Sequence, residues 1–435
     1  MQWVGDLFAA HLVDTLIMPG FFKCFRPALY AALLAFASCV VAEPDEQQLG
    51  APSYPIGTAR SAMSQPYRVG SWSAMEQVPG FVHGKVARGG SSVPLLRAER
   101  EPEIRYRYDG VDYTLDDYLQ RRRVTALLIL KDGRILVERY RYQRNEAARF
   151  LSFSMAKSIT GLLIGIAHDK GLIASLDDPA EKYLPQLKGA EYGASSIRHL
   201  LRMSSGMQFT EVYNGRDDSA RLNAVLLTSR PGFLEFARSF TRRNDPSGEK
   251  FNYASIESLL LGRILESASG RSVTDLTSEW IWRPLGAEQD AAWRLDAEGR
   301  EGTHAFFNAT LRDWGRLGLM MAADGAWNGK QIVPRGYLID ATDVARQPPA
   351  FVPGVATPSL GYGYQVWLWP LRSRTFMLQG VYGQAMLVQP ESGIVVVQTA
   401  VFEQPSGRGD PAPTRERGAF LSGALRSLGG RMDAF

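Results

Sequence analysis

Ser154 and Lys157, in the stretch Phe153-Ser154-Met155-Ala156-Lys157-Ser158, carry the clearest chemistry in the chain. In a helix, residues at this spacing share one face, so the lysine amine reaches the serine hydroxyl. Ser154 then sits at the helix start, where free backbone N–H groups and the positive end of the helix dipole favour an oxyanion. The residues that follow, Ile159 to Ile166, are nearly all apolar. A lysine at the head of a buried helix loses affinity for its proton, and a neutral lysine is a usable base. Acyl transfer through a serine nucleophile is the chemistry this pattern allows.

The spacing alone does not identify a nucleophile, because Ser247-Gly248-Glu249-Lys250 repeats it in a turn that denies it a helical face. The ordinary readings are a helix cap for Ser154 and a surface charge for Lys157. Other chemistries lack their signals. His11, His83, His168, His199 and His304 fall in no metal-ligand spacing, and there is no Gly-x-Ser-x-Gly elbow or phosphate-binding glycine loop. Cys24 and Cys39 both lie near the start, which excludes a cysteine nucleophile or thiolate metal site elsewhere. No metal or cofactor is expected.

The elements that must position these residues follow from hydrophobic periodicity. Ala126 to Leu130 and Ile135 to Val137 flank Lys131-Asp132-Gly133, a hairpin signal. From Ser154 to about Ala345 the apolar spacing is mostly helical, as in Ile256, Leu259, Leu260, Ile264 and Leu265. Strands return at Val366–Trp369, Thr375–Leu378, Ala385–Val388 and Ile394–Val397, and a helix is expected over Thr414–Leu428. Strands at both ends of a helical middle predict an α/β (α+β) fold. One antiparallel sheet is built from both chain ends and flanked by helices, with a large helical subdomain inserted at about 175–345. A cleft between the two is the natural place for a site.

The whole chain has 435 residues, 45% hydrophobic and 22% charged, the balance of a globular protein with a substantial core. Its formal charge of +4, from 49 basic and 45 acidic residues, forms no long basic block, so no nucleic-acid partner is expected. Lys23 and Arg26, the apolar run Ala28–Ala42 and the polar Glu43-Pro44-Asp45 read as a secretory signal over 1–42, with a possible start at Met18. This implies an exported, periplasmic protein that meets the membrane only through that segment. Phe36-Ala37-Ser38-Cys39 offers lipidation at Cys39 as the minor alternative. Residues 43–100, rich in Gly, Pro and Ser, read as an extended N-terminal arm, and 101–435 as the catalytic domain.

Several motifs share an order that resembles a known family. Ser154 to Leu163 resembles the first motif of the serine β-lactamase, penicillin-binding protein and family VIII carboxylesterase superfamily. Ile197 to Gly206 is similar to its downstream helix and loop, and Pro246 to Ser255 to its second motif. Asn308 to Asp313 and Gly361 to Tyr364 match later landmarks. The resemblance covers about residues 100–435 and implies a β-lactamase/transpeptidase-like fold. Phe-Ser-Met-Ala-Lys-Ser and the late Gly380-Val381-Tyr382-Gly383-Gln384 are most similar to 6-aminohexanoate-dimer (nylon oligomer) hydrolases.

Two departures stand out. Tyr253-Ala254-Ser255 replaces the Tyr-x-Asn of the β-lactamases, and Met377-Leu378-Gln379-Gly380 stands where Lys-Thr-Gly should be. The amide that holds a β-lactam and the lysine that holds its carboxylate are missing from those motifs, which favours an esterase or linear-amide hydrolase. The resemblance implies Ser154 as nucleophile, Lys157 and Tyr253 as the acid–base pair, and the backbone N–H groups of Ser154 and Val381 as oxyanion donors. Tyr213 either meets substrate or packs, and Asn308 either lines the pocket or caps the helix near Thr310. Of Trp367 and Trp369 one faces the core and the other the substrate. Ser255, Gly380 and Gln384 complete the candidate substrate contacts, while His199 and His304 are assigned to packing. The expected partner is a small-molecule amide or ester. The rival readings are a broad carboxylesterase or D-amino-acid peptidase, and a penicillin-binding sensor that acylates without turnover.

Overall fold

The computed structural model describes residues 46–435. Residues 1–42, read above as a secretory signal, with Cys24 and Cys39 among them, lie outside the described residues. Among the described residues, no helix is long and apolar enough to cross a membrane.

The hairpin signal holds. Val124–Lys131 pairs antiparallel with Arg134–Tyr140, and Asp132 and Gly133 between them both take positive φ, 49° and 77°. This pair joins the C-terminal strands through Val124–Lys131 and Ile394–Ala400, whose register runs from Ile394 opposite Lys131 to Ala400 opposite Val124. The result is an eight-stranded sheet. Its order is Gly361–Tyr362, Trp367–Leu368, Phe376–Gln379, Ala385–Gln389, Ile394–Ala400, Val124–Lys131, Arg134–Tyr140 and Leu96–Arg97. Only the last pairing, Leu96–Arg97 on Arg134–Tyr140, is parallel.

The central strands are buried on both faces, and their period-2 alternation divides them between two cores. Ala126, Leu128, Leu130, Val395 and Val397 face the larger core with the helices Ala156–Asp169 and Leu311–Ala322. Leu127, Ile129, Val396 and Leu387 face the other, with Phe420, Leu421 and Leu425 of the helix Ala412–Ser427. Gly315 and Gly318 allow Leu311–Ala322 to lie directly on the sheet. A Cβ there would stand 2.6 Å from a Leu128 methyl and 2.5 Å from a Val395 methyl.

Between the sheet-forming ends lie the helices Ile197–Leu201, Asp218–Thr228, Phe233–Arg238 and Ser255–Ser269. Ile256, Leu259, Leu260, Ile264 and Leu265 of the last are fully buried, as their spacing predicts. The middle is less purely helical than its periodicity implied. A second, four-stranded sheet runs in the order Val82–Val86, Ala291–Leu295, Phe307–Thr310 and Arg149–Leu151. Its strands are short and pair with chain distant in sequence, so no local alternation marks them.

The N-terminal arm also has more regular structure than an extended segment. It forms the helix Gln65–Trp72, with proline in its first turn, and supplies the edge strand Val82–Val86. Trp72 anchors it, donating from Nε1 to the Ala62 carbonyl (3.0 Å) and packing edge-on against Phe153 with centroids 4.8 Å apart.

Candidate active site

Ser154 lies in the short 3-10 turn Phe153–Met155 that feeds directly into the helix Ala156–Asp169. Phe153 takes φ 44°, a conformation uncommon for a residue with a side chain, and such backbone is held only when its surroundings determine it. Trp72 and Tyr382, whose rings lie 4.8 and 5.4 Å from that of Phe153 and 5.0 Å from each other, do so. The backbone at Ser154 is thus braced from the arm and from the loop after Phe376–Gln379.

Lys157 is buried, and its ammonium donates three hydrogen bonds: to Ser154 Oγ (3.1 Å), Ser255 Oγ (3.0 Å) and the His304 carbonyl (2.7 Å). Burial lowers its pKa to about 8, against the opposing pull of the Glu211 carboxylate. The lowered pKa enlarges the neutral fraction of Lys157 near pH 7, the form that a general base requires. Tyr253 completes the cluster. Its ring lies 5.1 Å from the Lys157 ammonium and stacks on Trp367, with centroids 5.4 Å apart and planes at 21°. Burial holds the Tyr253 phenol well above its ordinary value and the Glu211 charge adds to this, while a hydrogen bond with Ser154 works in the opposite direction. Tyr253 is a proton donor at neutral pH.

Glu211 is the site residue that sequence reasoning missed. Its Oε2 accepts from the Ser255 backbone N–H (2.8 Å), and its Oε1 accepts from the Ser255 hydroxyl (2.7 Å) and the Tyr213 phenol (2.9 Å). The carboxylate caps the helix Ser255–Ser269, which has no side-chain cap of its own, and the positive end of that helix favours its charge. Ser255 therefore sits in a chain running Lys157, Ser255, Glu211, Tyr213.

Val381 opens a 3-10 turn, Val381–Gly383, just after the strand Phe376–Gln379. Ser154 and Val381 are first-turn residues of their helices, so their N–H groups have no partner within them, and both residues line the same two pockets. Gly380 permits this approach, since a Cβ there would stand 2.4 Å from the Ser152 carbonyl oxygen. Gln384 is buried behind the turn. It bonds both ways with Ala400, Nε2 to O at 2.7 Å and N to Oε1 at 3.0 Å, so its contacts are with the turn's support.

Two pockets meet at Ser154, Glu211, Tyr213 and Val381. One, of about 300 Å³, is walled by Ala59, Met63, Met75 and Phe81 of the arm and by Leu226 and Leu227. The other, of about 210 Å³, holds Tyr253, Trp367, Gln379 and Gly380. Trp367 lines this pocket, whereas Trp369 is buried in the core under the helix Ala412–Ser427 and lines neither pocket. Asn308 lies in neither lining. It is fully buried in the strand Phe307–Thr310, and Thr310 caps the following helix. His304 is buried and neutral, its pKa pushed well below the usual value by burial and by the Lys157 and Arg294 cations. His199 bonds Ser247 (2.8 Å), and Lys250 faces Asp245, so the second Ser-x-x-Lys is structural.

A serine held by a buried lysine and a tyrosine, on this sheet, defines a class of acyl-transfer site, and the β-lactamase family profile matches residues 111–418. The chain belongs to the β-lactamase family. It is 27% identical over 370 residues to the 6-aminohexanoate-dimer hydrolase of Paenarthrobacter ureafaciens, covering 80% of this chain and 91% of that one. Among solved structures, a candidate 6-aminohexanoate-dimer hydrolase from Bacillus anthracis superposes with a TM-score of 0.75 at 21% identity. That match covers 85% of this chain and 97% of the other. A family VIII carboxylesterase superposes with a TM-score of 0.54 at 15% identity, covering 71% and 93%.

Proposed function

We propose that the protein is a serine hydrolase that cleaves linear amides, and activated esters, through an acyl-enzyme on Ser154. The observation that carries this reading is the buried Lys157 ammonium 3.1 Å from Ser154 Oγ, with its pKa lowered to about 8. Neutral Lys157 takes the serine proton as Oγ attacks the carbonyl carbon. The N–H groups of Ser154 and Val381 receive the developing oxyanion, where one such donor is typically worth on the order of 100- to 1,000-fold in rate. Tyr253, protonated and beside Ser154, delivers a proton to the leaving nitrogen and is recharged through Lys157. Water then attacks the acyl-enzyme with the same pair as base, releasing the acid.

The 6-aminohexanoate-dimer hydrolase relative supports a linear amide as substrate. Ser255 in place of an asparagine amide, and Gln379 in place of the Lys-Thr-Gly threonine, support weak action on β-lactams. The basic head and apolar run before Ala42 support export to the periplasm.

Side-by-side rates on the 6-aminohexanoate linear dimer, p-nitrophenyl butyrate and a chromogenic cephalosporin, for the wild type and Ser154→Ala, test the reading. Turnover of dimer and ester, absent in the variant and exceeding any cephalosporin rate, is the expected result. A fluorophosphonate adduct persisting on Ser154→Ala would place the nucleophile elsewhere.

A further inference from the structure

The second pocket contains a charge that the mechanism does not use. Arg417, on the helix Ala412–Ser427, lines it together with Ser154, Tyr253, Gln379 and Gly380. Arg417 is 5% exposed and has no carboxylate partner among the described residues. Its Nη2 donates to Gln379 Oε1 (2.5 Å), its Nη1 stands 3.5 Å from the Gln384 carbonyl oxygen, and its Nε has no partner. The adjacent Glu416 does not neutralise it, because that carboxylate is taken by Arg121, Arg122 and Tyr106.

A buried cation without a counter-charge is costly, and a folded protein normally pairs it or replaces it with an apolar side chain. Here it is kept beside the nucleophile. Arginine presents a planar fork of donors matched to a carboxylate, and here one donor of that fork, the enclosed Nε, is left unpaired. Tyr253, the donor to the departing group, lines this pocket and is absent from the lining of the apolar one. The departing group is therefore placed on the Arg417 side, and the acyl group against the arm.

We propose that Arg417 is a specificity-determining residue that binds a carboxylate on the leaving amine, so that the preferred substrates are N-acyl amino acids with an apolar acyl group. Gln379, in the position of the missing Lys-Thr-Gly threonine, orients the guanidinium, and the cation comes from the C-terminal helix in place of that motif's strand. This rests on the amide-hydrolase reading for the word substrate, and on the pocket alone for the binding.

Calorimetric titration of the inert Ser154→Ala protein separates the two. The probes are 6-acetamidohexanoate and 6-acetamidohexanamide, identical but for the charge. We expect the acid to bind at least tenfold more tightly. In Ser154→Ala/Arg417→Met that ratio falls towards one, and in Ser154→Ala/Arg417→Lys it keeps an intermediate value. Thermal unfolding verifies that each variant is folded, and if the Met form is not, the Lys form and the ratio in the parent decide. A parent ratio near one, no binding of either probe, or a ratio untouched by both substitutions overturns the proposal. A tenfold ratio in a protein whose wild type turns over esters but no amide leaves the carboxylate site standing and removes the amide reading.

Discussion

Ser255 gives Glu211 two hydrogen bonds, one from its backbone N–H and one from its hydroxyl, while its hydroxyl accepts a third from the Lys157 ammonium. One serine thus carries the influence of a carboxylate to the base. Glu211 raises the proton affinity that burial lowers, and the balance sets Lys157 at about 8.

The sign of the resulting pH dependence follows. Charged Lys157 cannot accept the Ser154 proton, so kcat/KM for p-nitrophenyl butyrate should rise with pH and level off above about 8. Glu211→Gln removes the charge that holds the proton on, and the rising limb should move to lower pH. A pH–rate profile measures this as a property of the coupled Lys157–Tyr253 pair. An unmoved limb, or one displaced upward, would show that Glu211 does not tune the base.

Val381→Pro should delete one oxyanion donor with little change in the backbone. Gly380 before it has φ −123° and ψ 157°, the extended conformation that a following proline requires, and proline suits a first helical position. A loss of about 100- to 1,000-fold in kcat at nearly constant KM is expected. Steady-state kinetics on an ester reads both constants, and a full-rate variant would dismiss Val381 as donor.

Tyr213→Phe should reduce amide turnover more than ester turnover. The phenol is anchored to Glu211 and Tyr213 lines both pockets, where a substrate held along its length would meet it. A p-nitrophenyl ester needs little positioning or protonation of its leaving group, and an amide needs both. Equal losses on the two substrates would count against a substrate contact.

Glu257 offers a test in stability. Fully buried, and hydrogen-bonded by Ser205 (2.5 Å), its carboxyl is pushed up by burial to about 8 from an ordinary 4.5. The folded protein therefore holds a proton that the unfolded chain releases. Its contribution is complete below about 4.5 and is lost as pH rises to about 8. Glu257→Gln mimics the protonated form, so the variant should gain on the wild type across that window, by on the order of a few kcal/mol. Denaturant melts at pH 5 and pH 8 measure the difference, and a constant difference would contradict the assignment.

Local spacing made part of this molecule legible in the sequence. The Ser154–Lys157 pair needs only one helical turn, and the Lys131-Asp132-Gly133 hairpin only its own residues, so both read directly. The strands Ala385–Gln389 and Ile394–Ala400 announce themselves because both faces are buried and the apolar run is continuous. Glu211 and Arg417 gave no such sign, since each is an ordinary charged residue until distant chain is folded over it. The same holds for the arm. Its Met63, Met75 and Phe81 become pocket wall only once Val82–Val86 has paired with Ala291–Leu295.

The pairing of Val124–Lys131 with Ile394–Ala400 places Thr125 and Thr399 in hydrogen-bond contact, 2.8 Å apart across 274 residues of chain. Loops of that length close late, because their entropy must be spent before any contact rewards it. Ser154 and Lys157 lie within one turn of chain, but the burial that lowers the Lys157 pKa and the Val381 N–H both come only with distant chain. A refolding chain is therefore expected to regain its helices before the parts of the site meet. Reactivity towards a fluorophosphonate becomes a clock for the last closure of the sheet, lagging behind the recovery of helical circular dichroism.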